Sequence, residues 1–184
     1  MSDIKAAIFL ATGYEMGEAI ITIDLLRRAK ITVDLVSVTE ELLVKSSHNV
    51  EIKCDKIIQT INFSDYKILI LPGGSTGVEN LNQVQLLKDK LVEFSNDENK
   101  LVAAICAAPQ ILGQLNLLDN KKVTFYPGCD QGLDKAIKTS EPVVVSGNII
   151  TGKSIGCAFQ FALKIVSILL NKASADEVKQ ALEF

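Results

Sequence analysis

Short apolar runs rich in β-branched residues alternate with helical segments along the chain, and this alternation limits the possible folds. Four of these runs predict buried strands, namely Ala6–Ala11, Ile31–Val38, Lys67–Leu71 and Leu101–Ile105. Alternation of such runs with helical segments is typical of a sheet with helices on both faces. We therefore predict an α/β fold with a mostly parallel central sheet and helices on both faces.

The segments between these strands carry signals for helices and hairpins. The first helix is predicted from Glu15 to Ala29, because acidic residues begin it and basic residues end it, as the helix dipole favours. Further helices are predicted at Gln83–Phe94, Pro109–Leu115 and Ile155–Leu170, with a last one opened by the capping-box pattern Ser174-x-x-Glu177. Two hairpins are predicted to pair Leu42–Val44 with Val50–Ile52, and Val143–Val145 with Ile149–Thr151.

Length and charge limit the class of protein. The 184 residues contain no linker-like segment, so we predict a single domain over residues 1–184. The formal net charge is −3, and no basic stripe stands out, so we do not expect nucleic acid as a partner. The long apolar run near the end of the chain is interrupted at helical spacing by polar residues, which predicts a buried helix and no membrane span.

Histidine and cysteine usage limits the chemistry further. His48 is the only histidine, so a two-histidine metal site cannot form within one chain, and we predict no metal. The four cysteines contain no Cys-x-x-Cys pair and no secretion signal precedes them. We expect reduced thiols in a cytoplasmic protein.

Residues Gly147 to Ser154 satisfy the pattern of a phosphate-binding P-loop, between a predicted strand and a predicted helix. Two features favour a simple hairpin turn instead. Ile149 to Thr151 are β-branched, which suits a strand better than a loop that presents N–H groups to phosphate. The chain after Ser154 is predicted to be helical, so no later strand could supply a magnesium-binding aspartate.

Three strand ends carry candidate site residues. Gly73 and Gly74 follow one strand, where glycines let the backbone approach a ligand, although such dipeptides are also ordinary turn residues. Cys106 follows another strand and precedes Ala107, Ala108 and Pro109, the layout of a nucleophile elbow. The start of the following helix would lower the pKa of this thiol and make it reactive. The alternative interpretation is that Cys106 is an inert cysteine of the core.

The first predicted strand leads to Glu15 and Glu18, which are three residues apart and so share one helix face. Either acid could be a solvated residue that the helix dipole favours, or a carboxylate that faces Cys106. In a parallel sheet these strand ends meet at one edge, where ligands bind in such folds.

The chain resembles the ThiJ/PfpI superfamily, specifically the branch that contains the parkinsonism-associated protein deglycase. The resemblance covers nearly the whole chain and is carried by the segments Gly13–Glu18, Leu71–Gly74, Ala103–Pro109, Tyr126–Pro127 and Phe159–Leu163. It implies a flavodoxin-like three-layer sandwich, a homodimer, and a reactive Cys106 touched by Glu18. It also implies backbone N–H groups from Gly74 and Ala107 at the site, and no cofactor.

The sequence departs from the family pattern at two positions. Members that act as proteases carry a histidine directly after the nucleophile, whereas this chain has Ala107, so we do not expect peptidase activity. Some members of the deglycase branch have a histidine at the position of Tyr126, and tyrosine is a poorer proton shuttle at neutral pH. Glu15, Gly73, Tyr126 and Pro127 are expected to line the pocket. His48 lies in the hairpin that approaches the partner subunit in dimeric relatives, although a solvated turn histidine fits its polar surroundings equally well.

The expected function is that of a stress-response protein in which Cys106 and Glu18 act on small α-oxoaldehydes, or on their adducts with proteins, as a glyoxalase or deglycase does. The alternative is a redox sensor or chaperone that works through oxidation of Cys106 without catalysis. A thiamine-pathway or nucleotide-dependent role would require the P-loop pattern to be functional.

Overall fold

The computed structural model describes residues 4–183 of the chain. Its strands are, in chain order, β1 (Lys5–Leu10), β2 (Thr32–Ser37), β3 (Leu43–Lys45), β4 (Glu51–Lys53), β5 (Lys56–Ile57), β6 (Ile68–Leu71), β7 (Leu101–Ile105), β8 (Lys122–Val123), β9 (Ile137–Lys138), β10 (Val143–Ser146) and β11 (Ile149–Gly152). Its α-helices are α1 (Met16–Arg28), α2 (Ser75–Asn82), α3 (Gln85–Asn96), α4 (Pro109–Gln114), α5 (Ala158–Leu169) and α6 (Lys172–Ala181).

A seven-stranded sheet forms the centre of the molecule, in the order β10-β11-β7-β6-β1-β2-β5. Neighbouring strands are parallel except β10, which runs antiparallel to β11 at one edge. In the middle of the sheet, Ile8 lies between Leu35 of β2 and Ile70 of β6. β1 and β6 are almost fully buried, which explains why their sequences are continuous apolar runs. The predicted α/β fold with a mostly parallel sheet is confirmed.

Helices cover the two faces of this sheet with separate apolar cores. On one face, α1, α5 and α6 bury side chains such as Leu26, Phe161 and Ile165. On the other face, α2, α3 and α4 bury side chains such as Leu87 and Phe94. Burying a side chain of this size contributes about 1.5–3 kcal/mol, so the helix faces fix the three layers.

Two hairpins lie where the sequence predicts them. β3 pairs antiparallel with β4, and this hairpin docks on the turn between β1 and α1, where Gly13 N–H donates to Lys45 O at 2.8 Å. β10 and β11 form the second hairpin, which contains most of the P-loop pattern. Because Ile149–Gly152 pairs with both β10 and β7, this segment is a strand and not a phosphate-binding loop.

Three details of the helices differ from the predictions. The predicted helix from Ile155 begins at Ala158, because Ile155–Cys157 forms a 3₁₀ turn, and Cys157 therefore precedes α5. The predicted capping box at Ser174 is wrong, since the Asn171 side chain caps α6 by accepting a hydrogen bond from Ser174 N–H at 2.9 Å. The eight-residue α2 was not predicted from its short sequence, which includes Gly77.

Parallel strand order determines where the loops meet. The carboxyl ends of β1, β6, β7 and β11 lie at the same edge of the sheet, so the segments that follow them are neighbours there. None of the helices within residues 4–183 is both long and apolar enough to cross a membrane.

Candidate active site

Cys106 occupies a sharp turn between β7 and α4. Its φ is +66°, in the left-handed region that non-glycine residues rarely adopt. The Cys106 N–H donates to Gly152 O at 2.9 Å, and the Cys106 carbonyl accepts from Tyr126 N–H at 2.9 Å. Such a backbone conformation costs about 1–3 kcal/mol and persists only where the surroundings fix it, which is typical of functional sites.

Glu18 reaches this turn from the first turn of α1 and is completely buried. Its Oε2 accepts a hydrogen bond from Gly73 N–H at 2.8 Å, whereas its Oε1 has no hydrogen-bond partner among the described residues. Glu15 serves a different purpose, because its side chain caps α1 by accepting from Gly17 N–H at 2.7 Å. The two acids therefore differ: Glu15 stabilises the helix end and Glu18 enters the site.

The two glycines after β6 leave the space that the site needs. A Cβ on Gly73 would lie 2.7 Å from Glu18 Oε2 and 2.7 Å from Cys106 Cβ. Gly74 has a φ of +90°, and a Cβ there would lie 2.4 Å from Gly13 O. A larger residue at Gly73 would displace the groups around the sulfur, and one at Gly74 would displace the backbone between β1 and α1.

The Cys106 thiol contacts the Glu18 carboxyl and the backbone N–H groups of Ala107 and Gly74. Burial is the main cause that raises the pKa of this thiol, and the charge and hydrogen bond of Glu18 raise it further. The two N–H groups lower the pKa but are outweighed. The pKa shift therefore has the opposite direction to the one expected from a helix N-terminus alone.

Burial also raises the pKa of Glu18, to about 7. The hydrogen bonds from Gly73 N–H and the Cys106 thiol oppose this rise, and the negative charge of Glu15 adds to it. Two acids in contact in a buried place do not both ionise readily, so the pair keeps at least one proton at neutral pH. The unpartnered Oε1 of Glu18 is available to carry it.

The remaining candidate residues lie farther from the sulfur. Tyr126 reaches the site through its backbone N–H, while its side chain is 49% exposed, and the neighbouring Pro127 is also exposed. His48 is exposed at the tip of the β3–β4 hairpin, where its Nδ1 lies 3.0 Å from Ser47 Oγ. Within residues 4–183, no hydrogen bond or ion pair joins His48 to Cys106.

The other cysteines have different surroundings. Burial raises the pKa of Cys54 to about 12, with a smaller contribution from the charge of Asp55. Burial also raises the pKa of the half-buried Cys129, and Asp130 adds to this rise. Across the described part of the chain, no group of three histidine, cysteine or acidic side chains is arranged to hold a metal ion.

The residues of β11 that hold the Cys106 turn in place were not predicted from the sequence. Gly152 accepts the Cys106 N–H, and Thr151 beside it accepts Thr124 N–H at 3.1 Å. Both lie at the carboxyl end of β11, next to β7. The segment was correctly predicted as the second arm of a hairpin, but the prediction did not include its pairing with β7, which places these residues at the same sheet edge as Cys106.

The raised pKa of Glu18 predicts how stability depends on pH. A carboxyl whose pKa is higher in the folded state than in the unfolded state stabilises the fold at low pH, and this contribution is lost as the pH rises towards about 7. Between pH 5 and pH 8, the free energy of unfolding should fall by roughly 2–3 kcal/mol relative to Glu18→Gln, which cannot ionise. Urea unfolding across this range measures it. Parallel pH curves for the two proteins would contradict a raised pKa.

Comparisons with known proteins show the family of this chain. The model of the DJ-1/PfpI family matches residues 4–168. The protein dj-1beta of Drosophila melanogaster is 34% identical over 97% of this chain and 96% of its own length. The glutathione-independent glyoxalase DJ-1 of Schizosaccharomyces pombe is 29% identical over 97% of this chain and 98% of its own. The chain spans 42% of the length of another relative, DJ-1 homolog B of Arabidopsis thaliana.

Solved structures show the same fold. The crystal structure of Drosophila melanogaster DJ-1beta matches with a TM-score of 0.93 and 35% identity, covering 99% of this chain and 98% of that one. The structure of oxidised Toxoplasma gondii DJ-1 matches with a TM-score of 0.91 and 32% identity, covering 98% of both chains. The flavodoxin-like three-layer sandwich implied by the sequence is thereby confirmed. With a family model matching most of its residues, the chain belongs to the DJ-1/PfpI family.

Proposed function

We propose that this protein is a cysteine-dependent enzyme that converts small α-oxoaldehydes, or their adducts on proteins, to hydroxyacids. Cys106 is the nucleophile and Glu18 carries the proton. The observation that carries this proposal is the contact between the half-buried thiol of Cys106, on a strained turn, and the buried carboxyl of Glu18, whose pKa is about 7. The similarity to the glutathione-independent glyoxalase DJ-1 of Schizosaccharomyces pombe supports the same chemistry. We assign this role to one domain over residues 1–184.

The first step is addition of the Cys106 sulfur to the aldehyde carbon of a compound such as methylglyoxal. A carbon–sulfur bond forms, the electron pair of the carbonyl moves to its oxygen, and a proton from the pair reaches that oxygen to give a hemithioacetal. The N–H groups of Gly74 and Ala107 point at the sulfur, so they are also placed to stabilise the developing oxyanion.

The second step moves a proton between adjacent carbons. Ionised Glu18 removes the proton from the former aldehyde carbon, and the electron pair moves onto the neighbouring ketone oxygen to give an enediolate. Glu18 then returns this proton to the second carbon, while the hydroxyl proton of the first carbon passes to the oxygen of the second. This isomerisation leaves a thioester on Cys106. Water then breaks the carbon–sulfur bond, releasing the hydroxyacid and restoring the thiol. A pKa of about 7 suits Glu18 both to accept and to return a proton at neutral pH.

The steps require no metal or organic cofactor, because the reaction is an internal oxidation and reduction of the substrate. The aldehyde carbon is oxidised to the level of an acid, and the neighbouring ketone carbon is reduced to an alcohol. Peptidase chemistry fits the site less well. Ala107 follows the nucleophile where a base would be needed, and the exposed His48 is occupied with Ser47. We also propose a cytoplasmic location, in keeping with the four free cysteines.

Turnover of methylglyoxal tests this function. Cys106→Ala should abolish lactate formation, and Glu18→Gln should lower kcat by roughly 10²-fold or more, because glutamine cannot move a proton. Cys129→Ala is the matched control, since its half-buried thiol lies outside the contact with Glu18 and should leave turnover unchanged. Wild-type turnover by Cys106→Ala, or none by the wild type, would overturn the proposal.

The second candidate function is a redox sensor or chaperone without catalysis, in which Cys106 is oxidised to a stable sulfinate. Two observations favour it: the oxidised state named for the Toxoplasma gondii relative, and the unpartnered Oε1 of buried Glu18. A protonated Glu18 could donate a hydrogen bond from this oxygen to a sulfinate oxygen. The same two residues would then stabilise an oxidised product instead of a reaction intermediate.

Peroxide titration distinguishes the cysteines. Each molecule of peroxide transfers one oxygen atom to sulfur and leaves water, so two are consumed per sulfinate. We expect two oxygens on Cys106 before any other cysteine is modified, because a protonated Glu18 and the N–H groups of Gly74 and Ala107 stabilise the oxidised sulfur, even though burial raises the pKa of the thiol. Glu18→Leu should impair stable accumulation of this sulfinate. Peptide mass spectrometry provides the measurement. Initial oxidation at Cys54 or Cys129, with Cys106 untouched, would show that Cys106 is an inert thiol.

We further propose that the protein is a homodimer. Several large apolar side chains are exposed on α1, on the docked β3–β4 hairpin and on the turn before α5, namely Ile20, Leu43, Val50 and Ile155. α1 and the turn are in direct contact, since a Cβ on Gly17 would lie 2.4 Å from Ile155 Cδ1. The β3–β4 hairpin is tied to the start of α1 by Ser47 N–H, which donates to Tyr14 O at 2.9 Å. A second copy of the chain fits such an apolar face, because two-fold interfaces join identical surfaces.

Light scattering measures the oligomeric state. The mass should be twice the 20.0 kDa of the chain at micromolar concentration. Ile20→Asp should lower it to the monomer mass, because the charge would be buried at the interface. Val145→Asp is the control: Val145 is similarly exposed but lies on the edge strand β10, which is not one of the elements that carry these four side chains. A monomeric wild type, or an unchanged mass for Ile20→Asp, would contradict this interface.

A further inference from the structure

The strained backbone of Cys106 is held from two sides by segments distant in sequence. Gly152 O accepts its N–H from the end of β11, and Tyr126 N–H donates to its carbonyl from the segment after β8, each at 2.9 Å. A left-handed cysteine that lost one of these bonds would be free to relax to an ordinary φ, which would rotate its sulfur. The position of the sulfur therefore depends on how firmly these two segments are joined.

One side chain joins them. The Thr124 N–H donates to Thr151 Oγ1 at 3.1 Å, and both threonines are almost completely buried. Thr151 directly precedes Gly152 in β11, and Thr124 lies two residues before Tyr126. Together with Cys106 these residues close a ring in which every other hydrogen bond is between backbone groups. The Thr151 hydroxyl is the side-chain link in this ring.

The segment from Lys122 to Tyr126 is not part of the seven-stranded sheet. β8 pairs with the two-residue β9. In addition, Ser146 Oγ donates to Lys122 O at 2.8 Å, and Thr139 donates to Val123 O from both its N–H at 2.9 Å and its Oγ1 at 3.3 Å. These hydrogen bonds hold Lys122 and Val123, at the start of the segment. The bond to Thr151 lies nearest Tyr126 and thus nearest the Cys106 carbonyl.

We propose that Thr151 is a positioning residue for Cys106. Its hydroxyl fastens the segment that precedes Tyr126 to β11 and so keeps the Cys106 sulfur against Glu18 and the N–H groups of Gly74 and Ala107. The effect on turnover rests on the proposed function, whereas the effect on the thiol can be measured without any substrate.

Substitution of Thr151 by valine tests this role. Valine has nearly the same shape but no acceptor, so the buried Thr124 N–H is left unpaired. Thr151→Ser keeps the hydroxyl. Ser37→Ala is the matched control: Ser37 is fully buried, its Oγ accepts the Thr39 N–H at 3.2 Å, and it lies on β2, away from Cys106. If Thr151→Val does not fold, Thr151→Ala removes the same acceptor and takes its place.

Kinetics give the first measurement. Thr151→Val should lower kcat for methylglyoxal by about tenfold or more while KM changes by less than about twofold, since a misplaced nucleophile affects the chemical step. Thr151→Ser and Ser37→Ala should each have a kcat close to that of the wild type, even if either substitution changes the melting temperature. An unchanged kcat per folded Thr151→Val molecule would overturn the proposal.

Alkylation of Cys106 by iodoacetamide gives the second measurement and needs no turnover. In the wild type, the alkylation rate plotted against pH should show an inflection near pH 7, where Glu18 titrates beside the sulfur. Glu15 is the other acid that affects Glu18, since its charge raises the pKa of Glu18. In Thr151→Val the inflection should disappear, because the sulfur no longer lies against the carboxyl. Retention of the wild-type pH profile would overturn the positioning role. A wild type that turns over no aldehyde but shows this loss would contradict the proposed function alone.

Discussion

Two acidic groups in contact inside a protein compete for one proton, and the Glu18 carboxyl and Cys106 thiol are such a pair. Burial disfavours the charged form of each, and ionisation of either disfavours ionisation of the other. Gly73 N–H and the N–H groups of Gly74 and Ala107 offset this penalty partly, by donating to the carboxyl and the sulfur. The chemistry proposed for the site, whether catalytic or redox, depends on where this proton lies.

The fold supplies this contact through the parallel order of its strands. β1 leads to α1 and Glu18, β6 leads to the two glycines, and β7 leads to Cys106. β11 ends at Gly152, whose carbonyl accepts the Cys106 N–H. None of these segments alone forms the contact between Glu18 and Cys106. Because the central sheet and the two helical layers are closely packed, the edge at which they meet can hold a cysteine in a strained conformation.

Much of this arrangement could be predicted from sequence, since continuous apolar runs indicate a parallel sheet and parallel strand ends must meet. The same pattern predicted that Cys106, the glycines and the segment with Glu15 and Glu18 would meet at one edge, whereas the choice of Glu18 over Glu15 came from the family resemblance. The direction of the thiol pKa was not predicted correctly, because it depends on burial beside a carboxyl, which a helix N-terminus in sequence does not reveal. Thr151 was missed because its hydroxyl bonds a residue 27 positions away, and no local pattern indicates such a contact.

The most direct test of the account is the protonation state of Glu18 itself. Infrared difference spectroscopy can follow the C=O stretch of a protonated carboxyl group. In the wild type, this band should be present at pH 6 and disappear as the pH rises through about 7. It should be absent at every pH from Glu18→Gln. A wild-type spectrum without a protonated buried carboxyl at pH 6 would contradict the shared proton on which the proposed chemistry depends.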